Sequence, residues 1–390
     1  MQFFCFDLIN RFCDALGEER NIHSFLSITK VFLEYKKKRV FRNEILYKPK
    51  LEELPFYKQL NLGYTMTGFD FKDIPLHIKR LDLNYYYNAV LNHGDIPNSV
   101  TALFLGQYFN QPLKPGNIPN SVTNLIFGCN FNKPLEPGDI PNSVIRLTFG
   151  YKFDQPLKPG VIPNSVMHIE FGRKFDHPLK HGDIPNSVRD LIFGEFFDQP
   201  LEPGVIPNSV IFLYFGESFN QKLNPGVIPN SVIHLHFGRG FNKKLKPGDI
   251  PRSVTGLDMG RFFNKALIPG VIPDSVDRLH LGTHFNHPLG LGVIPNSVII
   301  LHISYHFNQL LKPGDIPNSV KHLFFEGELR QPLKDGVIPN SVTNLYITRS
   351  SIQMKPGDIP DFVTTIHIPA DVKEKLEPAI DPSRVTFVIL

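Results

Sequence analysis

The chain has 390 residues, of which 42% are hydrophobic and 20% charged, so it can bury a sizeable core. Its 29 Gly and 35 Pro are frequent, but they stay well below the roughly 25–30% that is typical of low-complexity coil. The 41 basic and 37 acidic residues leave a net charge of +4, which is too small to indicate binding to nucleic acid or to a membrane surface. We therefore expect neither partner.

Residues 1–46 place apolar side chains at helical spacing. Leu8, Phe12 and Leu16 step by four, and a similar series starts at Ile22 after an acidic break. A third helix is predicted from Val31 to Tyr47. The sequence thus indicates a small α-helical N-terminal domain over residues 1–46. A linker and N-terminal cap follow over residues 47–73.

The stretch FDLINRFCDAL-GEERNIHSFLSITKVFLEY resembles an F-box, with a helix, a short acidic turn and a segment similar to L-x-x-x-x-K-x-F. The resemblance implies a module that docks to the adaptor subunit of an SCF-type ubiquitin ligase through buried apolar side chains. No Leu-Pro pair opens the motif. The alternative is a helical segment that only caps the following repeats. The residues implied to contact the adaptor are Leu8, Ile9, Phe12, Leu16, Ile22, Leu26 and Phe32.

Ile-Pro recurs every 22 residues from Ile74 to Ile338, and a final copy at Ile359 follows after 21 residues. These 14 units span residues 74–368, and the typical unit reads IPNSVxxLxFGxxFNQPLKPG followed by Asp or Val. We number unit positions from the Ile. The alternating L-x-F at positions 8 to 10 predicts a short half-buried strand, and Pro-Gly at positions 20 and 21 suits a type II turn. So short a unit cannot bury its own apolar face, so neighbouring units must stack with parallel strands.

Two polar positions hardly vary along the repeats. Position 15 is Asn or Asp in ten consecutive units from Asn110 to Asn308, and position 4 is Ser in the regular units. We interpret both as ladders that satisfy backbone groups of the turns. Acidic residues such as Asp95, Asp139 and Asp183 fall at turn positions, where we expect them to face water.

The unit resembles the FNIP repeat, which is named for its Phe-Asn and Ile-Pro pairs and is related to leucine-rich repeats. The resemblance covers residues 74–368 and implies a mainly β solenoid with one short parallel strand per coil. V-x-x-L-x-F stands where L-x-x-L-x-L would stand in a leucine-rich repeat, whereas the convex side departs from that pattern. Most FNIP proteins, found mainly in social amoebae and giant viruses of amoebae, have no established activity.

Outward positions of the predicted sheet vary strongly, as expected of a scaffold that carries a binding surface. Aromatic and His residues are frequent there, and the alternative is plain solvation or cover by a loop. The expected target-binding face comprises Phe104, Phe212, Tyr214, His236, His280, His302, Phe324 and Tyr346.

His236, Asp258, His280 and His302 are predicted on four adjacent strands. They could form a metal site, a polar binding stripe or ordinary solvated surface. Ligands in a straight row do not converge on one tetrahedral centre, so we expect no metal ion.

No enzyme signature occurs in the sequence, and we expect neither catalytic residues nor a cofactor. The predicted function is a non-enzymatic substrate receptor of an SCF-type ubiquitin ligase that binds a target protein. The alternative is a stand-alone binding or structural solenoid. We expect an intracellular, cytoplasmic monomer and leave the nucleus open, because Lys36–Arg39 is a basic run. Residues 369–390 are predicted to cap the last coil.

Overall fold

The computed structural model describes residues 45–46, 62–65, 71, 74, 77–329, 336–350, 359–376 and 384–389. The chain divides into two compact units, Met1–Phe153 and Asp154–Leu390. We call them the N-terminal unit and the C-terminal unit. Both are built from the 22-residue repeat, and each coil contributes one short strand to a parallel sheet.

The sheet of the N-terminal unit is parallel throughout its described pairings. From β3 onward, each strand lies one repeat after its neighbour, so that Leu103 stands opposite Leu125. The strands are β1 (Ile45–Leu46), β2 (Leu62–Thr65), β3 (Arg80–Asp82), β4 (Ala102–Leu105), β5 (Asn124–Phe127) and β6 (Arg146–Thr148).

The C-terminal unit continues the same pattern, with every described strand pairing parallel. Its strands are β7 (His168–Glu170), β8 (Asp190–Ile192), β9 (Phe212–Tyr214), β10 (His234–His236), β11 (Gly256–Asp258), β12 (Arg278–His280), β13 (Ile300–Ile303), β14 (His322–Leu329), β15 (Asn344–Ser350), β16 (Thr365–Ile368) and β17 (Thr386–Ile389). A short helix, α1 (Ala370–Leu376), precedes β17.

The predicted strand and turn are confirmed. Leu at position 8 is buried in the regular coils, and the residues on either side of it are more exposed, as the alternation requires. In the turn after β4, the amide of Asn117 donates to the carbonyl of Lys114 at 3.0 Å. Gly116 has φ of 87° and follows a proline, which is the geometry of a type II turn.

Phe side chains form two columns in the core, at position 10 from Phe127 to Phe237 and at position 14 from Phe109 to Phe307. Phe219 lies 6.2 Å from both Phe197 and Phe241 in its column, with interplanar angles of 7° and 9°. The columns also touch each other, since the ring of Phe215 lies 4.1 Å from that of Phe219. Because one ring follows another at each repeat, the core is continuous through the coils of each unit.

The glycine at position 11 is required by close backbone approach. A Cβ atom added to Gly216 would lie 1.8 Å from the carbonyl oxygen of Gly194 in the preceding coil. No side chain fits that space, so neighbouring coils pack backbone against backbone at this point.

Both predicted polar ladders are confirmed. Within each unit, Oδ1 of one position-15 residue accepts the backbone N–H of its counterpart one coil later at 2.7 to 3.1 Å. Asn220 accepts from Asn242 in this way, and Asn242 accepts from Asn264. In most coils from Ser143 onward, the position-4 serine hydroxyl donates to the carbonyl of the Val in the preceding coil, as Ser231 does to Val210 at 2.7 Å. The hydroxyls of Ser99 and Ser121 are buried without such a partner. Side chains thus satisfy backbone groups between the strands.

The prediction that the turn carboxylates face water is wrong for Asp139 and Asp183, which are only 4% and 2% exposed. Each carboxylate folds back to accept the N–H three residues earlier, from Glu136 in the first case and Lys180 in the second, at 2.8 and 2.7 Å. Burial raises the pKa of Asp183, and the bond from the backbone of Lys180 opposes that effect. Asp95 is half-buried and makes the same contact.

The structure differs from the predictions in two places, at the two ends of the repeat region. β1 is extended at Ile45–Leu46, where the predicted third helix would still run. After β15 the register shortens to 21 residues, so that Asn344 stands opposite Thr365 and Thr365 opposite Thr386. The segment expected to cap the last coil therefore contributes β17 as a further strand of the sheet. Among the described residues, none of the helices is long and apolar enough to cross a membrane.

Candidate functional site

The candidate site is the outward face of the sheet in the C-terminal unit, formed by positions 7 and 9 of its strands. Leu213 and Leu235 point into the core between these positions, so their neighbours point out. Because the strands are parallel and in register, side chains one repeat apart stand next to each other. The residues at position 7 therefore form one column of side chains across the sheet, and the residues at position 9 form a second column beside it.

Rings stack along β9 and β10. The ring of Phe212 lies 4.6 Å from that of His234, and the ring of Tyr214 lies 5.6 Å from that of His236. Phe212 and Tyr214 are 37% and 39% exposed. Two large aromatic side chains thus remain accessible on one strand, which is the kind of surface that protein interfaces use as anchors.

A second, closer stack runs across β13 to β16. The rings of His302 and Phe324 are 4.0 Å apart, those of Phe324 and Tyr346 are 3.8 Å apart, and those of Tyr346 and His367 are 4.0 Å apart. The interplanar angles are only 5°, 11° and 7°. Each ring covers its neighbour, and all four residues are half-buried, so this aromatic row is rigid and presents ring edges to solvent.

A chain of alternating His and acidic side chains lies between the two stacks. Asp258 bridges His236, through Oδ2 to Nε2 at 3.2 Å, and His280, through Oδ1 to Nδ1 at 3.3 Å. Glu326 Oε1 then bridges His280 Nε2 at 2.9 Å and His302 Nδ1 at 3.0 Å. The sequence analysis predicted His236, Asp258, His280 and His302 in one row. It did not predict Glu326.

The pKa values of these side chains follow from the alternation of histidines and carboxylates along the row. Burial alone lowers the pKa of His280, but the hydrogen bonds and charges of Asp258 and Glu326 outweigh burial and raise it to about 10. Burial raises the pKa of Glu326, yet the bonds from His280 and His302 lower it to about 2. The pKa of Asp258 is likewise lowered by its two histidines against the effect of burial. Both carboxylates are therefore ionised near neutral pH.

Glu326 reaches the row because β14 is irregular. Residue 326 occupies position 11, where nine earlier units have Gly, and β14 continues through it. The pairing of β14 with β15 shifts register between Phe325 and Glu328. The hydroxyl of Thr348 donates to the carbonyl of Glu326 at 2.7 Å and so holds this backbone in place. The loss of glycine at position 11 was the signal in the sequence that could have identified Glu326.

The other predicted site residues lie elsewhere. Phe104 is half-buried on β4, between Asp82 and Ile126 on the neighbouring strands, and so belongs to the N-terminal unit. All seven residues predicted to contact an adaptor, from Leu8 to Phe32, lie outside the described residues. Their placement stays a prediction.

The N-terminal unit carries an exposed aromatic cluster that the sequence analysis missed. The rings of Tyr85, Tyr86 and Tyr108 lie 4.9 to 5.5 Å apart. Tyr86 is 66% exposed. The run of three tyrosines at 85–87 was the available signal, of which only Tyr87 enters the core.

The fold and face together define a leucine-rich-repeat-like β-solenoid suited to protein–protein interaction. Within that class, the FNIP Repeat family matches the chain over residues 69–108, 87–130, 131–174, 175–218, 219–262, 263–306 and 307–350. Since these matches span well over half of the sequence, the chain belongs to the FNIP repeat family.

The fold is also similar to a solved structure described as "the crystal structure of CroV588 a novel circular LRR protein structure". The TM-score is 0.76 at 30% sequence identity, and the similarity covers 86% of this chain and 50% of that one. The chain thus spans half the length of that protein. A comparison with curated proteins gives no match.

Proposed function

We propose that the chain is a non-enzymatic scaffold whose solenoid binds a target protein through the outward face of the C-terminal unit. The observation that carries this proposal is the set of half-exposed, stacked rings on that face, from Phe212 and Tyr214 to Tyr346. Aromatic rings already held by neighbours lose little conformational freedom when a partner covers them.

The contrast between core and face supports the same function. Positions 8, 10 and 14 repeat similar apolar residues from coil to coil, whereas position 9 changes from Glu170 to Tyr214 and Asp258. The core residues maintain the stack, and the variable residues are free to specify a partner. This division of labour is characteristic of repeat scaffolds that bind proteins.

We further propose that residues 1–46 dock to the adaptor of an SCF-type ubiquitin ligase, which would make the solenoid its substrate receptor. The F-box resemblance supports this proposal, with Leu8, Phe12, Leu26 and Phe32 among the contact residues. The protein would then act as an intracellular monomer in the cytoplasm or the nucleus. In the alternative, the N-terminal segment only caps a stand-alone FNIP solenoid.

Co-purification with a recombinant SCF adaptor tests the docking proposal. We expect the full-length chain to retain the adaptor and the chain without residues 1–46 to lose it. Replacing Leu26 and Phe32 together by Asp in the full-length chain should have the same effect as the deletion, because the contact is apolar. If the unchanged chain fails to retain the adaptor, the ligase role is wrong and the alternative stands.

Quantitative affinity purification tests the target-binding face. Proteins retained by the unchanged chain should be lost from a variant in which Tyr214 and Tyr346 are both replaced by Ala. The matched control is Leu291→Ala, because Leu291 is 83% exposed at a turn of the same unit. Equal retention by both variants would show that the face does not bind the target.

A further inference from the structure

Three side chains of the C-terminal unit direct nitrogen and oxygen atoms at one point of the outward face. They are Nε2 of His280 on β12, Nδ1 of His302 on β13 and Oε1 of Glu326 on β14. All three atoms lie within 4.8 Å of one another. Ligands at 2.0–2.2 Å from a tetrahedral ion are about 3.3–3.6 Å apart, so small side-chain rotations bring these atoms to that spacing.

The convergence depends on Glu326. Residues at position 9 stand in a straight row, and His280 and His302 alone offer two ligands. Glu326 replaces the usual glycine in a continued strand, which adds a carboxylate beside the row. Its oxygen lies 2.9 Å from His280 and 3.0 Å from His302, so it closes a triangle that the straight row lacks.

Neighbouring residues orient both imidazoles. The ring of Phe324 lies flat on that of His302 at 4.0 Å and 5°. Asp258 Oδ1 lies 3.3 Å from His280 Nδ1, and the backbone N–H of Gly282 reaches the same nitrogen at 3.2 Å. These two contacts select opposite tautomers. A proton on Nδ1 faces Asp258, and a metal ion would replace the Nε2 proton that His280 otherwise shares with Glu326. The result is the carboxylate–histidine arrangement of many metal sites.

The charges of the cluster also suit a dication. Glu326 would be a direct ligand, and Asp258 lies behind His280, so two carboxylates flank the position between the ligand atoms. Two imidazole nitrogens and one carboxylate oxygen form a donor set that zinc and similar borderline transition metals accept. Calcium and magnesium take oxygen ligands almost exclusively, so they fit this set poorly.

We propose that His280 Nε2, His302 Nδ1 and Glu326 Oε1 form a binding site for one divalent transition metal ion of the Zn²⁺ type, with Asp258 as a positioning residue for His280. The ligand side chains are 29% to 30% exposed, so an ion can enter from solvent. Three protein ligands leave the fourth position to water or to a donor atom of a bound molecule. The site does not depend on the adaptor or target proposals.

Calorimetric titration of the metal-free full-length protein with Zn²⁺ alone tests the site. One equivalent should bind, and Co²⁺ should give the intense visible absorption of a tetrahedral site. Glu326→Gln and His302→Gln should each weaken binding by more than tenfold. Asp258→Asn, which removes only the carboxylate behind His280, should weaken it by about 10–100-fold.

The matched control is His168→Gln. His168 pairs with Asp190 in the same unit, so it tests a His–carboxylate pair outside the triangle. We expect Zn²⁺ affinity to be unchanged in this variant. Absence of saturable binding up to millimolar Zn²⁺ would overturn the proposal, and so would unchanged affinity in Glu326→Gln or equal loss in the control.

Chemical modification of the unchanged protein tests the metal site without any variant, in case a variant does not fold. Diethyl pyrocarbonate modifies accessible histidines, and mass spectrometry locates the modified residues. Zn²⁺ should protect His302 while leaving His168 as reactive as before. Equal reactivity of His302 with and without Zn²⁺ would refute the site.

Discussion

The backbone N–H of Asn242 donates to Oδ1 of Asn220, one coil earlier, at 2.9 Å. The side chain of Asn242 in turn accepts the N–H of Asn264 at 2.9 Å. Each residue of this ladder is therefore a donor to one neighbour and an acceptor for the other.

Replacing Asn242 by Leu should lower the free energy of unfolding by about 1–3 kcal/mol, because the N–H of Asn264 loses its acceptor. Asn242→Asp keeps that acceptor and matches the Asp residues at 154, 176 and 198, so it should cost much less. Chemical denaturation of both variants gives the comparison. Equal destabilisation would mean that the ladder bond itself is not what matters.

Gly216→Ala should be among the most destabilising single changes, because its Cβ would stand 1.8 Å from the carbonyl oxygen of Gly194. The two coils would have to separate. Gly290→Ala is the control, since the nearest atom to its added Cβ is a side-chain carbon of Val293 at 3.9 Å. We expect a large fall in melting temperature for the first variant and little change for the second. Similar melting temperatures would contradict the close backbone packing.

Asp249 tests the buried turn carboxylates, since it is 4% exposed and accepts the N–H of Lys246 at 2.7 Å. Asp249→Ala should cost about 1–3 kcal/mol of unfolding free energy through the unsatisfied amide. Asp249→Asn should retain the bond, as Asn117 does for Lys114 at the equivalent turn. If denaturation gives the same stability for both variants, the acceptor does not stabilise the turn.

Tyr87 should make the stability of the N-terminal unit sensitive to alkaline pH. Burial, aided by the negative charge of Asp95, raises the pKa of Tyr87 from 10.0 to about 12. Between these two pH values the unfolded chain loses the phenol proton and the folded chain keeps it, so the folded state loses stability as the pH rises.

Tyr87→Phe provides the reference, since Phe109 occupies the same position one coil later and stacks on Tyr87 at 6.2 Å. The unfolding free energy of the unchanged chain should fall relative to that of the variant by about 1.4 kcal/mol per pH unit between pH 10 and 12. Below pH 10 the difference should be constant. Parallel curves throughout would show that Tyr87 ionises normally in the folded protein.

The repeat allowed much of the fold to be predicted. The fixed 22-residue step determines the strand register, and the alternation around Leu at position 8 determines the strand. The Pro-Gly pair determines the turn, almost independently of the other two features. The ladder at position 15 was predictable because an Asn or Asp that recurs in ten consecutive coils stands next to its own counterpart in the stack. These features are local or periodic, and both kinds are visible in a single sequence.

The features that sequence analysis missed depend on how one coil differs from its neighbours. Asp183 was expected to face water, although Val161 and Val205 at the same turn position indicate a buried site. Glu326 was missed because its carboxylate contacts His280, which is 46 residues earlier in the chain, from a position that glycine occupies in nine earlier units. Such a contact depends on the path of the backbone.

The 22-residue register that the regular coils share also has a genetic consequence. Each coil offers the next coil the same carbonyls, side-chain acceptors and stacking rings that it receives from the preceding one. Recombination between two regular copies of the repeat would therefore add or remove a whole coil and preserve these contacts at the new junction. A gene of this kind can change the length of its interaction face in one event, while substitution at position 9 alters its chemistry.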